Sequence, residues 1–87
     1  MITPTIGRKI WFHPAINFDG ACSDPSQPLD ASIAYVHSPT LINISFADQN
    51  GKMYNATSVR LWDGEGQPPS SYYCEWMPYQ VNQAKAR

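Results

Sequence analysis

Apolar and polar residues alternate with a period of two along much of this chain, which predicts strands rather than helices. The alternation is clearest in LINISFA at 41–47. Ile42, Ile44 and Phe46 fall on one face, and Leu41, Asn43 and Ser45 on the other. A half-buried antiparallel strand has this pattern. IGRKIWFH at 6–13 reads as a first strand, with Ile6, Arg8, Ile10 and Phe12 on one face and Lys9, Trp11 and His13 opposite. ASIAYVH at 31–37 reads as a second, with Ile33, Tyr35 and His37 sharing a face and Ala34 and Val36 on the other. KMYNAT at 52–57 and SVRLW at 58–62 complete the set as a fourth strand and a short fifth, the latter with Val59 and Leu61 inward. Their β-branched and aromatic residues suit a pleated surface.

The breakers fall between these runs. Ser38-Pro39-Thr40 makes a short turn, and Asp48-Gln49-Asn50-Gly51 predicts a tight hairpin because Asn-Gly tolerates positive φ. Residues 14–30 hold three prolines and one glycine and predict a long loop, of a length often tied to function in small domains. Pro68-Pro69 forces an extended chain. Beyond it, SSYYCEWMPYQ at 70–80 packs Tyr72, Tyr73, Trp76, Met77 and Tyr79 into a short span. Pro78 prevents a regular helix through Trp76 and Met77, while VNQAKA tolerates a marginal helical turn. The chain therefore divides into a β unit at 1–66 and a Pro/aromatic C-terminal arm at 67–87 within one domain. The arm packs either on its own barrel or on a neighbouring subunit. A five-strand meander of this size closes naturally into a small barrel, which hides its edges.

Composition narrows the function classes. Eighty-seven residues make a single thin-cored domain. Charged residues are 15% of the chain, against about 25% in a typical domain. That leaves neutral surface for association, and a homo-oligomer is expected. The net charge of −1 and absence of a long basic run argue against sequence-specific nucleic-acid binding. No signal-type apolar segment and no membrane-length apolar run appears, so a cytoplasmic protein without a membrane partner is expected. Cys22 and Cys74 are then free thiols.

Catalytic and metal chemistry find little footing. Cys22, Cys74, His13 and His37 lack the close ligand pairs of structural zinc sites, so no metal is expected. Asp19 and Asp24 flank Cys22 and oppose thiolate formation. Asp63 and Glu65 sit in a Gly/Pro loop, a poor mount for paired-carboxylate catalysis. No phosphate-cradling glycine motif is present. A non-enzymatic binding protein without a cofactor is the expectation.

Two resemblances add to this. The runs IGRKIWF, ASIAYVH, LINISFADQNGKMYNA and SVRL, covering about residues 6–62, resemble the strand pattern of SH3-like and Tudor-like barrels. The implied architecture is mainly β, a small five-stranded SH3-like barrel with an aromatic C-terminal arm. In that order the first and fifth strands are neighbours, which would bring Arg8 and Arg60 together. G-R-K-x-W at 7–11, N-I-S-F-x-D-x-N-G at 43–51, T-S-V at 57–59 and C-E-W-M-P-Y-Q at 74–80 resemble a group of small uncharacterised proteins of tailed bacteriophages and prophages. That resemblance implies a phage origin, an accessory role such as countering host defence, and a place in the host cytoplasm.

Arginine beside aromatic faces suits planar anionic ligands, by stacking and forked hydrogen bonds. The expected ligand is therefore a small nucleotide-type signal. Arg8 and Arg60 would pair its phosphate, Trp11, Trp76 and Tyr79 would stack on its base, and Thr57 and Ser58 would donate hydrogen bonds. The alternatives are a module that binds and inhibits a host protein, and a minor virion or assembly component.

Overall fold

A computed structural model of the chain describes residues 2–14, 27–64, 66–69 and 71–85. Five strands and one helix follow in order: β1 Lys9–His13, β2 Leu29–Ser38, β3 Leu41–Ala47, β4 Met53–Trp62, β5 Tyr73–Glu75 and α1 Pro78–Lys85. The strands close into a barrel in the order β1-β2-β3-β4-β5, a small SH3-like architecture. Each of β1 through β4 pairs antiparallel with the next along the chain where it has a neighbour in that run, except that β1 also pairs antiparallel with β5. β5 in turn lies parallel to β4. Most of the long loop, including Cys22, lies outside the described residues, as does Glu65.

The core is the inward half of the alternation. Ile10 and Phe12 of β1, Ile42, Ile44 and Phe46 of β3, and Val59 and Leu61 of β4 are all buried. Phe12 and Phe46 meet at 4.7 Å between ring centroids. Tyr54 stacks on Phe46 at 5.6 Å, and Tyr72 sets its ring edge-on to Phe12. Ile6 is 68% exposed, because Gly7 turns the chain at φ 90° before β1 begins. The first strand is therefore shorter than the alternation suggests.

Two features of the topology differ from the sequence pattern. The runs 52–57 and 58–62 are one continuous strand, β4, and the closing strand is β5 from the C-terminal arm. The arm is part of the barrel wall: Cys74 is wholly buried and Trp76 is 8% exposed within the core cluster. Pro78 opens α1, as its fixed φ and missing N–H favour at a first helical position. The Gln80 side chain ties the helix down, accepting from the Met77 N–H and donating to the Lys9 carbonyl at 2.8 Å.

At the 48–52 turn, Gly51 takes φ 83° and its N–H donates to the Asp48 carbonyl. The Asp48 carboxylate, 6% exposed, accepts from the Asn50 and Lys52 N–H groups. This pattern is a type I turn followed by a glycine bulge. No helix among the described residues is long and apolar enough to cross a membrane.

Candidate functional site

Three register shifts cluster along residues 41–44 of β3, and two of them meet at Asn43. Two interrupt the β2–β3 ladder, between Ile33 and Tyr35 and between Val36 and Ser38. The third interrupts β3–β4 between Ile42 and Ile44. Bulges re-aim side chains and cluster near functional sites. The first shift turns Tyr35 outward to 53% exposure, while Ile33 stays in the core at 1%. Ile33 and Tyr35 thus lie on opposite faces, contrary to the shared face that strict alternation predicts. In β4, Ala56 and Val59 both point inward, so the strand holds one residue more than a regular ladder between them.

The extra residue leaves Ser58 at φ 54°. A left-handed conformation costs a side-chain-bearing residue roughly 1–2 kcal/mol. Such strain persists only where the surroundings fix it. Here they do: the Ser58 N–H donates to Asn43 Oδ1 at 2.8 Å instead of to a strand carbonyl. Because a backbone N–H only donates, that Asn43 atom must be the oxygen. His37 Nε2 lies 2.9 Å from the same oxygen and therefore carries a proton.

The rest of this face is open. The Asn43 amide hydrogens, the Thr57 and Ser58 hydroxyls, the Arg60 guanidinium and His37 Nδ1 meet no side-chain or backbone partner among the described residues. Tyr35 stands edge-on to His37 at 5.0 Å. Arg60 is opposite Leu41, on the far side of β3 from His37. Two strand spacings separate their backbones by about 10 Å. Among the described residues, none of the outward side chains around Asn43 is a carboxylate. A guanidinium, an amide and two hydroxyls, with no described carboxylate beside them, favour an anion.

The seam formed by β1, β5 and α1 is richer in rings, but its groups are already engaged. Arg8 covers the Trp76 ring at 5.3 Å. His13 Nε2 donates to the Glu75 carboxylate at 2.6 Å, and its ring stacks on Tyr73 at 4.7 Å. Trp62 meets Tyr73 edge-on at 5.9 Å. Partial burial and the nearby Glu75 charge raise the Tyr73 pKa above that of an ordinary phenol. Burial pushes the Cys74 thiol well up, so it is held as the neutral thiol. Lys9 and Asp30 pair at 3.1 Å, both more than half exposed, which contributes little.

A cleft of about 340 Å³ lies between the start of β2 and the end of β3, beside Asp30, Asp48 and Gln49. Its carboxylates disfavour an anion. Among the described residues, no three His, Cys, Asp or Glu side chains gather to hold a metal ion.

The seven residues singled out from the sequence fall into two groups. Thr57, Ser58 and Arg60 lie together on the bulged face. Arg8 and Trp76 are in contact at the seam, with Tyr79 70% exposed on α1 and Trp11 half-buried opposite Glu75. Arg8 and Arg60 do not converge, because β5 separates their strands. The register sets Arg60 level with Tyr73 and His13, some five positions along β1 from Arg8. At about 3.3 Å per residue that is roughly 16 Å. Trp76 offers no free ring face to a base, since its ring is core. The pattern pointed to neither Asn43 nor His37. A signal existed, though: the inward residues Ile33 and Val36, and Ala56 and Val59, are each three apart, which only a bulge permits.

In comparisons with known proteins, no family model, no curated protein and no solved structure matches this chain significantly.

Proposed function

We propose that this chain is a non-enzymatic binding protein that sequesters a small anionic ligand of the nucleotide type on its bulged face. The observation that carries this is the cluster of donors around Asn43 that have no partner among the described residues. Arg60, Ser58, Thr57 and the Asn43 amide would hold a phosphate, and the exposed Tyr35 ring would stack on a planar group. Strain at Ser58 supports a binding role, because an ordinary strand would place glycine there or omit the bulge. The phage-type motifs at 7–11, 43–51, 57–59 and 74–80 supply the setting: an accessory protein acting against host defence in the host cytoplasm. Exposed apolar area at Ile6 and Tyr79 suits a second copy, in keeping with a homo-oligomer.

Native mass spectrometry of the protein purified from a phage-defended host tests this. The expected spectrum is a discrete oligomer carrying one nucleotide-sized mass per site, lost in Arg60→Ala and kept in Arg8→Ala. A bare monomer, or a ligand retained by Arg60→Ala, would overturn it.

A further inference from the structure

Closure of the barrel leaves most of β4 with an open edge. β5 reaches β4 only at Leu61 and Trp62, so residues 53–60 pair with β3 alone among the described residues. The hairpin sets which backbone groups face that edge. The Asp48 N–H donates to the Lys52 carbonyl at 2.9 Å, which makes 48 and 52 a hydrogen-bonded pair. Bonded and non-bonded pairs alternate along an antiparallel ladder. The bonded pairs are then Phe46 with Tyr54 and Ile44 with Ala56. Met53 and Asn55 turn their N–H and C=O groups away from β3, and the Thr57 N–H follows before the bulge at Ser58. None of these groups has a hydrogen-bond partner among the described residues.

Proteins normally block such an edge with charge or proline. Residues 53–59, MYNATSV, carry neither, and Met53 is 63% exposed.

We propose that this edge is the contact surface for a second copy of the chain, the two β4 strands pairing antiparallel about a two-fold axis at Asn55. This gives the homo-oligomer proposed above an interface and does not depend on the ligand. Only that register engages positions 53, 55 and 57 together: Asn55 meets the partner's Asn55, and Met53 meets the partner's Thr57. An isologous contact needs a surface that matches itself, and a neutral antiparallel edge does. Lys52 falls opposite the partner's Ser58, and Arg60 opposite the partner's Asn50, so no like charges meet. A charged foreign strand finds no opposite charge here to select it. The pairing would join two bulged faces into one sheet, with the partner's Met53 beside Thr57.

The test is amide hydrogen exchange of the wild-type protein at high and low concentration. The Met53, Asn55 and Thr57 amides should be protected at high concentration and lose protection on dilution, while Tyr54 and Ala56, bonded to β3, keep theirs. Fast exchange of all three edge amides at every concentration would overturn the interface. Asn55→Lys and Asn55→Asp each set a like charge against its own copy, on a side chain that is exposed in the single chain. Sedimentation should show either substitution weakening the dimer roughly fivefold, and mixing the two proteins should restore it. An oligomer untouched by both substitutions, or one not restored on mixing, would overturn the Asn55 register. Phosphate binding and its loss in Arg60→Ala would stand or fall separately.

Discussion

The seam and the bulged face are built from similar residues and end in opposite states. At the seam, Arg8 lies on Trp76, His13 bonds Glu75, and Gln80 spans from Met77 to the Lys9 carbonyl. Those contacts hold the barrel where it closes. On the bulged face, Arg60, Thr57, Ser58 and the Asn43 amide have no partner among the described residues, while the backbone beneath them is strained. Aromatic density therefore marks closure in this protein, and polar groups left unpartnered among the described residues, on a strained frame, mark the proposed site.

The sharpest way to break that contrast is Trp76→Ala. Removing a core indole should cost about 3–5 kcal/mol, read by urea denaturation, with anion binding lost only as the protein unfolds. A folded Trp76→Ala protein that has lost binding would move the site to the seam.

Asn43→Ala comes next. It removes the acceptor that fixes both Ser58 and His37 and should cost about 0.5–1.5 kcal/mol. Phosphate affinity, measured by calorimetry, should also fall at least tenfold, an effect no seam variant of equal stability cost should share.

Alkaline pH probes the seam alone. Cys74 and Tyr73 both have folded pKa values above their ordinary ones, so the folded state holds their protons more tightly than the unfolded chain does. Stability should be level below the ordinary thiol value of 9.0. It should then decline as the unfolded state releases first the thiol proton and then, above 10.0, the phenol proton. Denaturant midpoints from pH 7 to 11 would show this, and Cys74→Ala should delay the onset. An onset unchanged in Cys74→Ala would remove the thiol from the account.

The smallest effect is expected from Ser58→Gly. Relief of the left-handed strain should raise stability by up to about 1 kcal/mol while weakening phosphate binding through loss of the hydroxyl. A loss of stability would mean that the frame does not strain Ser58.

Legibility in the sequence followed the same division. Alternation in LINISFA placed β3 and its inward Ile42, Ile44 and Phe46 correctly, because a one-residue slip would expose the whole set. The barrel was legible for that reason. Its closing strand was not: Tyr73–Glu75 is three residues long, too short for periodicity, and is held by long-range pairing with β1 and β4. Thr57, Ser58 and Arg60 could be picked out by residue type. Asn43 and His37 could not, because their role depends on register shifts that bring three strands together at one amide oxygen.

The most direct test of the contrast is an amide NMR titration of the wild-type protein with inorganic phosphate at pH 7. Shifts concentrated at Tyr35, His37, Asn43 and Thr57 to Arg60, with Trp11, Tyr73, Glu75 and Trp76 unmoved, are the predicted result. Shifts centred on the seam, with the bulged face silent, would contradict it.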